Sequence, residues 1–245
     1  DVALGPEHGD LAALTDAHTR QNFAGTAPSG AGLWELTLLP SNQVLAPATA
    51  QSFRSQPLDG KQPGLRLTWE KFGLPAAPEL RVEVAVRLEP GQPMSRWELA
   101  ITGLRELSVA QVRFPRVVNI PPQANERLAV PVWMGQQTAE PRKIFGGGKG
   151  AGRRHQWDYP GILSLQCLAF YQQDGPGLYL ACDDTAGFNK TFAFFGDGED
   201  RLGCEIVHLP ERLPTSAQAL RLPYAVQLGT FTGDWFTAAE RYRAW

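Results

Sequence analysis

A short segment in the second half of the chain combines planar aromatic rings with charged and hydrogen-bonding side chains. It contains Arg153, His155, Trp157, Asp158 and Tyr159. An aromatic ring can cover the apolar face of a sugar while charged groups bond its hydroxyls, which is a common layout of small polar-ligand sites. We therefore predict that these residues form a carbohydrate-binding site. The alternative is that Trp157 and Tyr159 fold inward and only anchor the segment.

A glycine-rich segment, Gly146-Gly-Gly-Lys-Gly-Ala-Gly152, precedes these residues. A phosphate-binding loop needs Ser or Thr after its Gly-Lys pair, but Gly150 follows Lys149, so no nucleotide site is predicted. Because glycines cost backbone entropy to order, we expect residues 146–152 to be the most mobile internal segment. They form either an ordinary surface loop or a hinge that closes over a ligand. The whole stretch from 136 to 161 is predicted to be irregular.

Paired carboxylates can serve as the acid and the nucleophile of a glycosidase. The candidates are Asp183 with Asp184 and Glu199 with Asp200. Neighbouring residues on a strand point to opposite faces, so neither doublet forms a ready-made pair. Asp183-Asp-Thr-Ala-Gly187 is better explained as a turn that follows a strand, and Glu199-Asp200 as a hairpin tip. No catalytic residue is predicted.

The residue types that bind metals are few and poorly spaced. The histidines are His8, His18, His155 and His208, and no two have the spacing of ligands on one helix or on adjacent strand positions. The cysteines, Cys167, Cys182 and Cys204, are odd in number and contain no C-x-x-C motif. We expect Cys167 and Cys182 to be small buried hydrophobes, and we predict no metal and no cofactor.

The elements that must position these residues are mostly strands. Apolar residues alternate with polar ones from Leu80 to Leu88, and the alternation resumes from Trp97 to Ile101 after a Pro/Gly turn, which predicts an antiparallel hairpin. Further alternation occurs at 34–38, 65–69 and 220–228. Two more hairpins are predicted, 162–171 with 177–182 and 191–195 with 203–208. About fifteen strands fit the chain by the usual spacing of strands and turns.

Only the C-terminal segment has a helical pattern. Asp234 is a suitable N-cap, and an apolar stripe formed by Trp235, Ala238, Ala239 and Tyr242 follows it. Tyr242 and Trp245 are expected to be exposed unless another surface packs on them. Because of this we predict a domain interface formed by Trp235, Tyr242 and Trp245.

Composition limits the classes of function. Of 245 residues, 25 are Gly and 20 are Pro, which favours many turns over long helices. The net charge of -2 makes nucleic acid an unlikely partner, because phosphate neutralisation needs a basic excess. No apolar run reaches the roughly 20 residues that a membrane span needs. The compartment stays open, with a secreted or periplasmic location slightly favoured.

Several segments resemble one family of domains. Residues 9–22 resemble the first hairpin of galactose-mutarotase-like β-supersandwich domains. Tyr159-Pro-Gly-Ile-Leu-Ser-Leu-Gln-Cys-Leu-Ala-Phe-Tyr171, with residues 177–184, is similar to a late hairpin of the domains that precede TIM-barrel catalytic domains in bacterial glycoside hydrolases. Residues 233–245 resemble the linker helix that leads into the barrel. The resemblance implies an all-β antiparallel supersandwich at 1–232 and a linker helix at 233–245.

The resemblance also has functional implications. The catalytic carboxylates of such hydrolases lie on the barrel, so this chain is expected to be a non-catalytic domain that packs on a C-terminal TIM barrel of the same polypeptide and helps to shape the carbohydrate site. Free-standing mutarotases of the superfamily use two histidines and a glutamate, a pattern that we could not place here. An aldose mutarotase or epimerase, and an independent carbohydrate-binding module, remain the alternatives.

Overall fold

The chain forms antiparallel sheets whose strands follow the alternating apolar pattern. A computed structural model describes residues 1–25, 32–60, 62–146, 153–196, 200–210 and 219–245. Its strands are, in chain order, β1 (Val2–Leu4), β2 (Leu11–Leu14), β3 (Glu35–Leu39), β4 (Gln43–Leu45), β5 (Ser52–Pro57), β6 (Gly64–Glu70), β7 (Arg81–Leu88), β8 (Met94–Thr102), β9 (Ser108–Ile120), β10 (Glu126–Val130), β11 (Gln136–Ala139), β12 (Arg154–Tyr159), β13 (Cys167–Gln172), β14 (Gly175–Cys182), β15 (Lys190–Gly196), β16 (Leu202–His208), β17 (Ala219–Arg221) and β18 (Val226–Gly233).

Two large sheets and one small hairpin account for these strands. The larger sheet has the order β11-β10-β13-β14-β18-β8-β7-β6-β5, with β17 also paired to β8. The smaller sheet has the order β12-β15-β16-β9-β3-β4, and β1 pairs with β2. All pairs between described strands are antiparallel. The predicted all-β antiparallel sandwich is therefore confirmed, with about 52% of the described residues in strands and 9% in helices.

Helices are short. α1 (Pro141–Phe145) begins with a proline, whose missing N–H costs nothing in the first turn, and α2 (Trp235–Ala244) begins after Asp234. A 3₁₀ turn covers Pro47–Thr49. The Asp234 carboxylate accepts hydrogen bonds from the backbone N–H groups of Phe236 (2.9 Å) and Thr237 (3.3 Å), so the predicted N-cap and helix are confirmed. Within the described residues no helix is both long and apolar enough to cross a membrane.

The core lies between the facing sides of the two large sheets. Four of its largest fully buried side chains belong to one apolar cluster. Trp34, just before β3, and Phe114 of β9 come from the smaller sheet, and Trp69 and Trp97 come from the larger sheet. The alternating residues of β6, β7 and β8 contribute one side chain in two to this cluster, as the period-two pattern requires. A second, smaller cluster lies on the outer face of the larger sheet, where Ala238 of α2 packs on Tyr179 and Phe231.

The segment around His8 and Gly9, just before β2, packs against aromatic rings of the larger sheet. Gly9 adopts a positive φ of 71°, and a Cβ atom there would lie 2.8 Å from the rings of Phe53 and Trp69. The Trp69 indole N–H donates to the carbonyl oxygen of His8 at 2.8 Å. Both the backbone conformation and the close approach of the rings therefore require glycine at this position.

Two expectations about the elements are wrong. The stretch from 136 to 161 is not irregular in its described parts, because it contains β11, α1 and β12. Residues 147–152, on which most of the predicted mobile segment falls, lie outside the described residues. The apolar stripe at 220–228 is two strands rather than one, β17 and β18, since Pro223 between them has no N–H to donate to a neighbouring strand.

Candidate functional site

The predicted carbohydrate residues lie on or beside β12, an edge strand of the smaller sheet. β12 pairs with β15, from Arg154 opposite Phe195 to Tyr159 opposite Lys190. Trp157 is buried in the core and Tyr159 is half-buried against it, whereas Asp158 between them is exposed. The strand therefore divides these residues between two faces, and the ring of Trp157 is not an exposed platform.

Two of the predicted residues are exposed near α1. The His155 ring stands edge-on to Phe145, with ring centroids 5.1 Å apart, and lies 6.0 Å from the Trp157 ring. Arg153 precedes the strand, and its backbone N–H donates to the carbonyl oxygen of Phe145 at 3.0 Å. Both side chains are exposed. The end of α1 thus contacts the start of β12, and the side chains of His155 and Arg153 stay open to solvent.

The outer face of the smaller sheet carries a network of arginines and glutamates. Glu205 is fully buried and accepts hydrogen bonds from Arg116 (2.8 Å) and Arg154 (2.6 Å). Glu35 forms ion pairs with Arg113 (2.9 Å) and Arg116 (3.3 Å). A buried carboxylate needs such charge-assisted bonds, because without them its desolvation would be costly. Arg154 is thereby committed to Glu205, and its guanidinium also lies 5.2 Å from the centre of the Phe195 ring.

A buried lysine is the centre of a second polar group, which we call the Lys190 cluster. Its members are Lys190, Asp184, Gln166, Tyr224 and His208. The Lys190 ammonium donates to the Asp184 carboxylate (2.5 Å), the Gln166 side-chain oxygen (2.9 Å) and the carbonyl oxygen of Phe188 (2.6 Å). Its three N–H groups are therefore all bonded. Asp184 also accepts the backbone N–H groups of residues 186, 187 and 188, which confirms the predicted turn.

His208 completes this cluster at the inner face of β16. Its Nε2 lies 2.7 Å from the carbonyl oxygen of Phe114, and its Nδ1 lies 2.7 Å from the hydroxyl of Tyr224. Since a carbonyl can only accept, Nε2 carries the proton and Nδ1 accepts from Tyr224. Burial lowers the pKa of His208 to about 3, so the ring is neutral. With both nitrogens bonded and no exposed surface, His208 is held as a structural group.

The predicted interface residues lie on α2 or at its end, but they line cavities on opposite sides of the helix. Trp235 lines an apolar groove of about 380 Å³ on one side of the helix, together with Trp133, Met134, Leu165 and Ala239. Tyr242 and Trp245 line a different cavity on the other side, of about 480 Å³. We call the first the apolar groove and the second the polar pocket.

The polar pocket contains residues that the sequence did not single out. They include Tyr179, Gln227 and Arg241, and also Asp183, which was considered only as a carboxylate pair. Asp183 points to the outer face of the larger sheet and bonds Arg96 at 2.7 Å, whereas Asp184 faces the Lys190 cluster. The two carboxylates therefore point to opposite faces, as predicted for neighbours on an extended chain.

The Lys190 cluster left a signal in the sequence. Lys190 is in phase with Phe192 and Phe194 on β15, so a lysine occupies a position of the core-facing alternation. Such a position predicts a buried charge that needs a partner. Gln227 gives no similar signal, because a polar residue at an outward-facing strand position is common.

All three cysteines are buried and free, which confirms the prediction that Cys167 and Cys182 are small buried hydrophobes. Burial raises the pKa of the Cys167 thiol to about 12, which makes it unreactive at neutral pH. Among the described residues, no group of three or more His, Cys, Asp or Glu side chains could hold a metal ion.

Comparison with solved structures relates this arrangement to known proteins. The chain superposes on an alpha-N-acetylgalactosaminidase from Bifidobacterium bifidum with a TM-score of 0.68 and 12% identity, over 99% of this chain. It superposes on a GH36 alpha-galactosidase from Geobacillus stearothermophilus with a TM-score of 0.52 and 7% identity over 84% of this chain. An alpha-galactosidase from Lactobacillus brevis gives a TM-score of 0.52 and 8% identity over 94%. The chain therefore shares its fold with part of these glycosidases.

The chain covers only part of each matched structure. The chain spans 36%, 32% and 33% of those three structures, respectively. No protein-family model matches the sequence, and no curated protein matches it in sequence. The likeness accordingly concerns the fold alone.

Proposed function

We propose that the chain is the non-catalytic N-terminal domain of a glycoside hydrolase, with the sandwich at 1–232 and a linker helix at 233–245. The observation that carries this proposal is the unequal coverage, because nearly the whole chain matches only about one third of each glycosidase. The partner is then a C-terminal catalytic domain of the same polypeptide, a TIM barrel. The names of the matched enzymes make alpha-galactosides and alpha-N-acetylgalactosaminides the first substrates to test.

The apolar groove is the surface that would receive the catalytic domain. Trp133 is 77% exposed and Trp235 is 52% exposed, and Met134 and Phe236 are exposed beside them. Large apolar side chains grouped on a surface mark interaction sites. Trp133 also adopts a positive φ of 54°, a strained conformation for a bulky residue. We propose that Trp235 lies within the contact, whereas Tyr242 and Trp245 line the cavity on the other side of α2 and lie outside it.

Activity assays and hydrogen exchange together test this proposal. The isolated chain should neither hydrolyse 4-nitrophenyl α-D-galactoside nor accelerate the anomer exchange of glucose and galactose in polarimetry. In the full-length gene product, hydrogen exchange at 132–136 and 234–240 should be slower than in the isolated chain, while β4 at the far edge of the smaller sheet serves as the control. Hydrolysis by the isolated chain, or equal exchange in both proteins, would contradict the proposal.

The edge of β12 is proposed to contribute to the rim of the carbohydrate site. Arg153, His155 and Asp158 are its exposed members, and Trp157 and Tyr159 support them from the core. In the full-length enzyme, His155→Ala should raise KM at least about threefold with kcat nearly unchanged, because a rim contact binds substrate and transition state alike. His18→Ala, another exposed histidine, is the control. An unchanged KM in His155→Ala would reduce this edge to a connector.

No observation favours the mutarotase or epimerase alternative. A histidine pair would need His155 and His208 to reach one substrate, but His208 is fully buried and both of its ring nitrogens are bonded. The independent carbohydrate-binding module remains the second candidate. Glycan binding by the isolated chain, with no change in exchange at the apolar groove in the full-length product, would favour it.

A further inference from the structure

The polar pocket lies between the C-terminal half of α2 and the outer face of the larger sheet. Tyr179 of β14 and Gln227 of β18 line it from the sheet, and Arg241 and Trp245 line it from the helix side. Asp183, just after β14, contributes a carboxylate. The volume of about 480 Å³ is in the range of pockets that hold small ligands.

Several polar atoms in this pocket lack a protein partner. Arg241 Nε and Gln227 Oε1 are buried and have no hydrogen-bond partner among the described residues. The Asp183 side chain is only 7% exposed, and its bonds from Arg96 (2.7 Å) and Gln227 (2.8 Å) both end on Oδ2. Buried polar atoms are nearly always bonded in folded proteins, so this donor and this acceptor need a partner, which is either ordered water or the polar group of a ligand that displaces it.

The charges of the lining define the class of ligand. Asp183 is paired with Arg96 (2.7 Å), and the other lining charges, Glu89 and Glu240 against Arg241, leave an excess of negative charge that disfavours an anion. A neutral polyol supplies O–H donors to the Asp183 and Gln227 oxygens and a lone pair to Arg241 Nε. Trp245, which lines the pocket, is 51% exposed, and its ring lies 5.7 Å from the Tyr242 ring. Such a ring can cover the apolar face of a sugar.

We propose that the polar pocket binds one neutral monosaccharide unit, through Asp183, Gln227 and Arg241, with Trp245 against the sugar ring. The site is distinct from the β12 edge and from the apolar groove. It needs neither a catalytic domain nor any enzymatic activity, so its test is independent of the proposed function.

Binding can be measured on the isolated chain by NMR. D-galactose and D-glucose are titrated while the side-chain amide of Gln227 and the indole N–H of Trp245 are followed, with D-galacturonate as the anionic analogue. The neutral sugars should bind with a Kd on the order of 1–10 mM, as expected for so small a ligand. Galacturonate should bind at least about tenfold more weakly, because its carboxylate meets the acidic lining.

Matched variants locate the site. Arg241→Met and Trp245→Ala should each weaken binding at least about fivefold, since they remove the unpaired donor and the ring. Arg243→Met, on the same helix but outside the pocket lining, and Trp235→Ala, in the apolar groove, should stay within about twofold. Unchanged backbone spectra show that each variant is folded.

Three results would overturn the proposal. The first is the absence of saturable shifts with either neutral sugar up to about 100 mM. The second is binding that persists at full strength in both pocket variants. The third is binding in the isolated chain that is lost in the full-length gene product, which would make the pocket part of the contact between domains.

Discussion

Lys190 and His208 are buried polar residues that lie opposite each other on neighbouring strands of the smaller sheet. Each is bonded at every polar atom of its side chain, Lys190 to three oxygens and His208 to one donor and one acceptor. The Lys190 ammonium also lies 4.6 Å from the centre of the Tyr224 ring and 4.9 Å from that of Tyr159. This arrangement stabilises the charge in the interior, and it ties β12, β15 and β16 to the turn at Asp184.

His208 should make stability depend on pH. The native state keeps the ring neutral down to about pH 3, whereas the unfolded chain binds a proton below about pH 6.5. Unfolding therefore takes up one proton between these values, and stability falls as the pH is lowered through this range. The expected loss is about 1.4 kcal/mol per pH unit, or about 2 kcal/mol between pH 6.5 and pH 5, measured by urea unfolding.

Two variants separate this effect from other titrating groups. His208→Gln should lower stability at pH 7 but remove the additional loss toward pH 5, because glutamine does not titrate. His18→Gln, at an exposed position, should keep the wild-type dependence. The same pH dependence in His208→Gln and in the wild type would show that His208 is not the group responsible.

At the scale of elements, α2 is held by few contacts. Ala238 is its only fully buried residue, and it packs on Tyr179, Phe231 and Ala169 of the larger sheet. Tyr242 is partly buried in the same cluster. A helix of ten residues is marginal by itself, so its cap and this small contact decide whether it stays folded. Both cavities beside it depend on the position of the helix.

Removing the cap should loosen α2 without unfolding the sandwich. Asp234→Ala deletes the acceptor of the N–H groups of Phe236 and Thr237 and should cost about 1 kcal/mol, which accelerates amide exchange in α2 about fivefold. Asp234→Asn, which keeps an acceptor oxygen, should behave nearly as the wild type. Equal exchange in all three proteins would show that packing alone holds the helix.

At the scale of the whole molecule, the two outer faces of the sandwich differ. The smaller sheet presents an arginine–glutamate network that is centred on the buried Glu205. The larger sheet presents the apolar groove and the polar pocket on the two sides of α2. The two cavities beside α2 thus lie on the same face. We expect this face to be the one that meets other molecules.

The sequence by itself determined the class of the fold. Alternation in phase with Trp97, Leu99 and Ile101 allows only one face of β8 to be buried, and the hairpins at β7–β8, β13–β14 and β15–β16 follow from local turns. The N-cap at Asp234 is equally local. Such features need no knowledge of distant contacts, which is why they could be predicted.

Only the tertiary structure decided where the polar side chains go. β12 becomes a strand because β15 offers it a partner, and that pairing turns Trp157 inward and Asp158 outward. The polar pocket brings Asp183, Gln227 and Arg241 together from two strands and a helix that are not adjacent in sequence. The residue pattern of a single segment shows its periodicity, but it does not show which distant segment it pairs with. The site depends on this long-range pairing, so the sequence alone does not reveal it.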